Sequence, residues 1–100
     1  MTKLLISNQD KKILAQILNK YPYSFYAYGS RVKGTAKKYS DLDLCFYDEI
    51  PWNVLSHLHE DLEESDLPFK VDLNAWKWMS PYFQELIRKD LIPIQSTTSK

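Results

Sequence analysis

The sequence has little of several features that mark common protein classes. It contains one cysteine, Cys45, only two glycines, and thirteen basic against thirteen acidic residues. A single cysteine cannot form an internal disulfide, which excludes a disulfide-stapled secreted domain and fits a reducing cytosol. Zero net charge gives no sign of general nucleic-acid binding. The apolar runs are too short for a membrane span or a signal peptide, so we expect a cytoplasmic protein.

What the sequence does contain is the composition of an ordinary globular domain with many aromatic residues. Its 100 residues are 44% hydrophobic and 26% charged, and 14% are aromatic. This composition disfavours disorder, and the length leaves little room for a second hydrophobic core. We therefore expect one domain over residues 1–100, with 96–100 as a frayed polar tail.

Hydrophobic periodicity predicts alternating helices and strands. Helices are expected over 8–20 after the N-cap Ser7, between Pro51 and Pro68, and over 81–90 after the N-cap Ser80. Strands are expected over 24–28, 41–47 and 69–74, with a last one over 91–95 that Pro93 would confine to an edge. One side of the sheet should take the apolar stripes of the helices, and the acidic side of the middle strands should face away from that core.

The segment 29–38 contains both glycines and is rich in basic residues. Gly29 and Ser30 form a turn that opens a short helix, and such turns present N–H groups and a hydroxyl to phosphate. Glycine also permits close approach of a ligand to the backbone. Further charge comes from Arg31, Lys33, Lys37 and Lys38. Taken alone, the composition of this segment is also typical of an ordinary basic turn that binds no ligand.

Three aspartates fall on the polar faces of two predicted strands. Asp41 and Asp43 alternate on one strand, with Cα atoms about 6–7 Å apart, and Asp72 lies on the next strand. Like charges at this distance repel unless water or a cation neutralises them, and carboxylates with nearby phosphates favour Mg²⁺. A site of three carboxylates could hold two metal ions for phosphoryl chemistry. The alternative to a metal site is that Asp41 and Asp43 lie at a solvated strand end and that Asp72 is an ordinary surface acid.

These elements together resemble a known signature. The motif runs Gly29-Ser30-Arg31-x-x-Gly34, then Ser40-Asp41-x-Asp43-Leu44, then a strand with Asp72 about thirty residues on. It resembles that of nucleotidyltransferases of the DNA polymerase β type, and the short chain resembles their minimal nucleotidyltransferase (MNT) branch. The resemblance covers nearly the whole chain. It implies an α+β fold with a small mixed sheet of about four strands and helices packed on one face.

The same resemblance implies roles for individual residues and a set of cofactors. ATP would be the nucleotide donor, with two Mg²⁺ ions for which Mn²⁺ can substitute. Asp41 and Asp43 would hold both metals, and Asp72 would complete the site and draw the proton from an incoming hydroxyl. The residues implied to bind the nucleotide are Gly29, Ser30, Arg31, Lys33 and Ser40. Lys33 stands where the family often has Arg, which keeps the charge but loses the bidentate fork.

The short chain leaves no residues for an elaborate acceptor site, so a second protein is expected to supply it. In the MNT branch the resemblance implies a helical ribonuclease toxin of the HEPN type as partner in a hetero-oligomer. The chain would then be the antitoxin of a type VII-like pair, transferring AMP to a tyrosine hydroxyl of the toxin. Two alternatives remain: an antitoxin that acts by binding alone, and a stand-alone enzyme acting on a small molecule or an RNA end.

Other chemistry-bearing residues are expected to be structural. His57 and His59 point about 200° apart on a helix and cannot share a metal ion. Cys45 should be a small strand residue rather than a nucleophile. One of Trp76 and Trp78 should pack under the last helix, while the exposed one should lie at the rim of the site and anchor a partner.

Overall fold

The computed structural model describes residues 4–96. The predicted tail at 96–100 lies outside these residues, apart from Ser96. The elements are four α-helices, α1 (Asn8–Leu18), α2 (Ser30–Lys33), α3 (Trp52–Glu63) and α4 (Pro81–Arg88), and four strands, β1 (Phe25–Tyr28), β2 (Leu42–Phe46), β3 (Val71–Ala75) and β4 (Ile92–Gln95). A 3-10 turn, Trp76–Trp78, joins β3 to α4. The predicted helices and strands lie within about two residues of their expected bounds, except that α3 ends at Glu63 instead of continuing to Pro68.

The helix ends form for the local reasons that the sequence predicted. The Ser7 hydroxyl accepts a hydrogen bond from the Asp10 N–H at 3.0 Å, and the Ser80 hydroxyl does the same for the Phe83 N–H at 3.1 Å. Both caps satisfy N–H groups that have no partner within the first turn. Pro81 occupies the first position of α4, where its missing N–H costs nothing.

The strands form one mixed sheet in the order β3-β2-β1-β4. β1 pairs antiparallel with both β2 and β4, while β2 and β3 are parallel and are joined by α3. A parallel pair needs a long crossover connection, and α3 provides it. Pro93 lies on β4 at the edge of the sheet, as predicted.

The main core lies between one face of the sheet and the helices α1 and α3. Leu42, Leu44 and Phe46 of β2 point into it and are almost fully buried. Leu14 of α1 and Leu58 of α3 meet them from the helix side. Because side chains alternate along a strand, Asp43 and Cys45 face the other way. The predicted separation of the aliphatic and acidic faces is confirmed.

The expectation that helices cover only one face holds for α1 and α3 but not for α4. Ile87 and Phe83 of α4 pack on the opposite face, against Tyr28 and Cys45, with the Tyr28 and Phe83 rings edge to face at 5.8 Å. Alternation places the apolar Tyr28 and Cys45 beside Asp43 on this face, and they need cover from water. The second face is therefore half apolar under α4 and half acidic. No helix within residues 4–96 has the length and hydropathy of a membrane span.

Candidate active site

The acidic part of the second face of the sheet consists of three aspartates at two neighbouring strands. Asp43 belongs to β2, with Asp41 directly before it, and Asp72 belongs to β3. Asp43 of β2 is the register partner of Tyr28 on β1 and of Asp72 on β3. Asp41 lies just before β2 and is exposed, as is Asp72, while Asp43 is half-buried. The sheet thus brings Asp72 beside an acid that is distant in sequence.

The Gly29-Ser30 turn lies directly against Asp43. Gly29 has φ +89 and ψ −154, a conformation that only glycine adopts readily. A Cβ atom built on Gly29 would lie 2.5 Å from Asp43 Oδ2, well inside van der Waals contact. Position 29 therefore requires glycine for two reasons. Its backbone conformation disfavours other residues, and a Cβ atom would clash with the Asp43 carboxyl group. The two halves of the sequence motif meet at this contact.

Gly34 offers a matched comparison, because its φ is +83 but nothing lies within 4 Å of where its Cβ would be. We expect Gly34→Ala to lower the free energy of unfolding by about 1 kcal/mol and to leave the site unchanged. Gly29→Ala should cost at least about 2 kcal/mol and also displace Asp43. Urea unfolding measures the first effect, and nucleotide transfer by the folded fraction measures the second. Equal loss of transfer in the two variants would contradict the role given to the Gly29 contact.

The carboxyl group of Asp43 is hard to ionise in this setting. Burial raises its pKa to about 6, with further contributions from the charges of Asp72 and Asp41 and from a hydrogen bond with Asp72. Burial and the charge of Asp43 also raise the pKa of Tyr28 to about 12, although its hydroxyl accepts a hydrogen bond from Asn74 Nδ2 at 2.9 Å. Negative charge is concentrated where the protein itself supplies little to balance it.

This shift predicts a pH dependence of stability in protein stripped of divalent ions. An acid with a raised pKa in the folded state stabilises the fold below its unfolded pKa of about 3.8, and that contribution is lost as pH rises through about 6. Asp43→Asn removes the effect. In urea melts with EDTA we expect the variant to exceed the parent by about 1 kcal/mol at pH 7, after discounting for solvent screening. The difference should vanish near pH 4, and a constant difference across this range would contradict the assignment.

The acids suit a hard divalent cation, although they do not form a finished cage. Among residues 4–96, no three His, Cys, Asp or Glu side chains already surround one point as metal ligands do. Asp43 and Asp72 are nevertheless register partners on neighbouring strands, and the charges of Asp72 and Asp41 add to burial in raising the pKa of Asp43. Carboxylate oxygens are the ligands that Mg²⁺ prefers, and a cation would remove the repulsion. The donor set therefore fits Mg²⁺.

Arg31 has a different place from the one expected of a nucleotide ligand. Its side chain is buried, with 5% of the residue exposed, and its guanidinium lies 4.1 Å from the centre of the Phe69 ring. It donates hydrogen bonds to backbone carbonyls of Leu5 at 2.7 Å, Ser40 at 3.0 Å, Lys38 at 3.0 Å and Lys37 at 3.4 Å. These bonds occupy the guanidinium, so Arg31 fixes the loop before Asp41 instead of facing a phosphate.

The remaining residues proposed for the nucleotide lie around the same loop. Ser30 begins α2 and is partly exposed, and Lys33 ends α2 and is exposed. The Ser40 hydroxyl accepts a hydrogen bond from the Lys37 N–H at 2.8 Å, which closes a turn just before Asp41. Ser30 and Lys33 are thus placed to meet a ligand, while Ser40 already has a structural contact.

The structure also places the residues that were expected to be structural. Cys45 is fully buried, and burial raises the pKa of its thiol to about 11, which is unsuited to a nucleophile. Trp76 is half-buried against Tyr47, with ring centres 5.0 Å apart, while Trp78 is 81% exposed. Trp78 follows the far end of β3 from Asp72, so it does not lie at the immediate rim of the acids.

Sequence reasoning missed two residues near the site and one exposed aromatic. Tyr28 and Asn74 were treated as strand residues, although their alternation with Ala27 and Leu73 places them on the face of Asp43. Their contact depends on the strand order, which alternation does not reveal. Trp52 is 80% exposed at the start of α3, and its position on the polar side of that helix was the available signal.

Comparison with known proteins points in one direction. The model of the polymerase beta nucleotidyltransferase domain matches residues 8–99. A protein of Haemophilus influenzae named "Probable protein adenylyltransferase MntA" is 45% identical over 97 residues, spanning 93% of this chain and 85% of its own.

Two solved structures share the fold at low sequence identity. A crystal structure of a toxin–antitoxin with AMP-PNP aligns with a TM-score of 0.66 and 19% identity, covering 88% of this chain and 74% of that one. A crystal structure of a protein from Shewanella oneidensis aligns with a TM-score of 0.61 and 16% identity, covering 92% and 74%. The motif, the fold and the match over residues 8–99 agree, and this chain belongs to the polymerase beta nucleotidyltransferase family.

Proposed function

We propose that this enzyme is the antitoxin of a toxin–antitoxin pair and transfers AMP from ATP to a tyrosine hydroxyl of its partner. The partner would be a helical ribonuclease toxin of the HEPN type. Support comes from the relative named as a protein adenylyltransferase and from the fold shared with a toxin–antitoxin structure that contains AMP-PNP. The single observation that carries the proposal is the contact of Gly29 with Asp43, which itself pairs with Asp72.

Binding of the nucleotide falls to the loop and the acids together. The Ser30 hydroxyl and the N–H groups of Ser30 and Arg31 can donate to phosphate oxygens, whereas the Val32 and Lys33 N–H groups already donate to the Gly29 carbonyl at 3.0 Å. Lys33 supplies a mobile positive charge at the end of the same short helix. Asp41 and Asp43, with Asp72, would hold Mg²⁺ beside the triphosphate. A cation held there would offset the negative charge of the phosphates and of the pyrophosphate as it leaves.

In the transfer step, ATP donates the AMP group and pyrophosphate is the leaving group. The tyrosine oxygen attacks the α-phosphorus, a new P–O bond forms, and the bond to the β-phosphate oxygen breaks, releasing pyrophosphate. The tyrosine proton passes to the carboxylate of Asp72, which is the exposed member of the Asp43 pair. Asp43 is held between Gly29 and Asp72 and is therefore suited to positioning rather than to proton transfer.

Transfer can be tested with the protein encoded by the adjacent gene, purified together with this chain. With α-labelled ATP and Mg²⁺, we expect label on the partner, and mass spectrometry should place one AMP group on a tyrosine. Changing that tyrosine to phenylalanine, or adding EDTA, should remove the label. A partner that is neutralised without any label would favour the binding-only alternative.

Binding of ATP with Mg²⁺ should also stabilise the folded chain. A ligand that binds only the folded state at 100 times its Kd adds about 2.7 kcal/mol to the free energy of unfolding. We therefore expect Tm to rise by roughly 10 °C at saturation, and ATP with EDTA to give a much smaller rise. The same melt on the partner complex tests whether the partner completes the site. No rise in either sample would contradict a nucleotide site at these residues.

A further inference from the structure

The outer edge of β3 has backbone groups with no strand beside them. β3 is the first strand in the order β3-β2-β1-β4, and no further strand follows it within residues 4–96. The Leu42 N–H donates to the Lys70 carbonyl at 2.8 Å, and the parallel register continues to Ala75. In such a ladder alternate residues bond inward. The N–H and C=O groups of Val71 and Leu73 therefore point outward. Val71 is only 6% exposed, so the edge accessible to another strand begins at Leu73.

A groove made of three adjoining clefts lies along this edge between β3 and α3. At one end a cleft of about 660 Å³ is lined by Asp41, Asp72 and His59. His59 also lines the next cleft, with Trp52 and Leu73, and these two residues line a third of about 370 Å³ that ends at Trp78. The shared lining residues make the three clefts one groove. It begins at the candidate catalytic acids.

The far end of the groove is built from two exposed tryptophans. Trp52 at the start of α3 is 80% exposed and Trp78 after β3 is 81% exposed. Both line the same cleft, above Leu55 and Leu73. Exposed tryptophans at a groove supply much of the binding energy at protein interfaces.

The groove is acidic over most of its length. Its carboxylates are Asp41, Asp48, Glu49, Glu63 and Asp72. Its lysines are Lys70 and Lys77, and the latter is already paired with Glu49 at 2.7 Å. Charge complementarity therefore favours a basic occupant.

We propose that this groove binds the acceptor as a basic, extended polypeptide segment that pairs with the free edge of β3. This rests on the proposed function, since the acceptor hydroxyl has to reach Asp72. Unpaired backbone groups, a path that begins at the acids and an acidic lining all fit a polypeptide strand. The tyrosine lies at Asp72, and an apolar side chain of the same segment enters between Trp52 and Trp78.

The length of the groove fixes the spacing within the segment. Asp72 and Ala75 are three residues apart on β3, about 10 Å at the usual strand rise. A strand paired with β3 covers that distance in three residues, and an odd spacing is required because Asp72 and Leu73 lie on opposite faces of the sheet. We therefore expect an apolar residue three positions from the tyrosine, with lysine or arginine between or beside them.

A library of tyrosine-containing peptides, incubated with the wild-type chain, α-labelled ATP and Mg²⁺, tests this directly. The best-labelled peptides should show the predicted apolar spacing. N-methylation of alternate residues blocks strand pairing without changing the side chains. Methylating the residues that face β3 should lower kcat/KM at least about tenfold, the loss of roughly one hydrogen bond, and methylating the others should change it little.

Variants of the chain give a second, independent measurement. Trp52→Ala and Trp78→Ala should each raise KM for the best peptide at least about tenfold and leave KM for ATP unchanged. Tyr82→Ala is the matched control, since Tyr82 is 77% exposed on α4, which covers the other face of the sheet. That variant should behave like the parent.

The outcomes separate the groove from the transfer activity. Label on the partner protein but on no peptide, or label insensitive to N-methylation and to both tryptophans, would overturn the groove and leave the transferase proposal standing. If neither the partner protein nor any peptide is labelled, both the groove and the transferase proposal are contradicted. If sedimentation shows that the tryptophan variants convert a dimer to a monomer while peptides do not compete, a second copy of this chain occupies the edge and the proposal is overturned.

Discussion

Asp41→Asn combined with Asp43→Asn is expected to lower nucleotide transfer at least about 10³-fold while leaving the fold intact. Both side chains face away from the aliphatic core, and burial, together with the charges of Asp72 and Asp41, raises the pKa of Asp43. The two amides remove the negative charge that would hold Mg²⁺ without adding bulk. Removing repulsion should also keep the metal-free variant at least as stable as the parent at pH 7.

Circular dichroism melts and transfer of α-labelled AMP, measured on the same sample, check both parts of this result. A double variant with Glu64→Gln and Asp66→Asn is the matched control, because both residues are exposed just after α3 and neither lines the cleft that contains Asp41 and Asp72. It should transfer at the parent rate. Transfer by the Asp41/Asp43 variant within about threefold of the parent would contradict the assignment of the acids.

The double variant also separates the two antitoxin mechanisms. If neutralisation of the partner requires AMP transfer, cells that express the partner should not be protected by this variant. Protection at the parent level would show that binding alone suffices. The expected result is loss of protection with the complex still formed, because the groove along β3 retains Trp52 and Trp78.

Arg31→Met is expected to be the most destabilising single change outside the aliphatic core. The guanidinium satisfies the carbonyls of Leu5, Lys37, Lys38 and Ser40 and lies over the Phe69 ring. Methionine fills similar space but removes the donor from the carbonyls of Leu5, Lys38 and Ser40, while the Lys37 carbonyl keeps the Ser40 N–H at 3.1 Å. We expect a loss of about 3 kcal/mol in the free energy of unfolding, corresponding to a fall in Tm of more than about 10 °C.

Lys33→Met is the matched control, because Lys33 lies on the same short helix but is exposed. Its free energy of unfolding should change by less than about 0.5 kcal/mol. Arg31→Lys should fall between the two, since lysine keeps the charge and loses the fork. An Arg31→Met protein that is as stable as the parent and has only a raised KM for ATP would contradict the structural role. That result would instead support a contact between Arg31 and a phosphate of ATP.

Local sequence signals predicted the elements and one half of the site. Ser7 and Ser80 marked helix starts because they cap N–H groups a few residues away. The alternation of Leu42, Asp43 and Leu44 fixed which side chains of β2 face the main core. The positive φ of Gly29 follows from its place in the Gly-Ser turn. All of these depend on residues close together in the chain.

The sequence did not reveal the functions that depend on strand order or on burial. Arg31 belongs to a motif that predicts contact with phosphate, yet its side chain is buried. Its guanidinium donates hydrogen bonds to carbonyls of the loop before Asp41 and lies over the Phe69 ring. The prediction of helices on one face failed for α4 because the second face carries apolar residues as well as acids. Neither fact can be derived from spacing alone.

The sequence by itself determined the family and the elements and predicted the acids of the candidate site, because local periodicity and a dense motif encode them. Tertiary structure alone decided which of these residues meet. The pairing of β2 with β3 sets Asp72 beside Asp43, and the close approach of β1 sets Gly29 against the same carboxyl group. It also left the outer edge of β3 without a strand and placed Trp52 and Trp78 at one cleft. Such contacts join residues far apart in the chain, and only packing and the desolvation of charge select among the arrangements that the same local pattern allows.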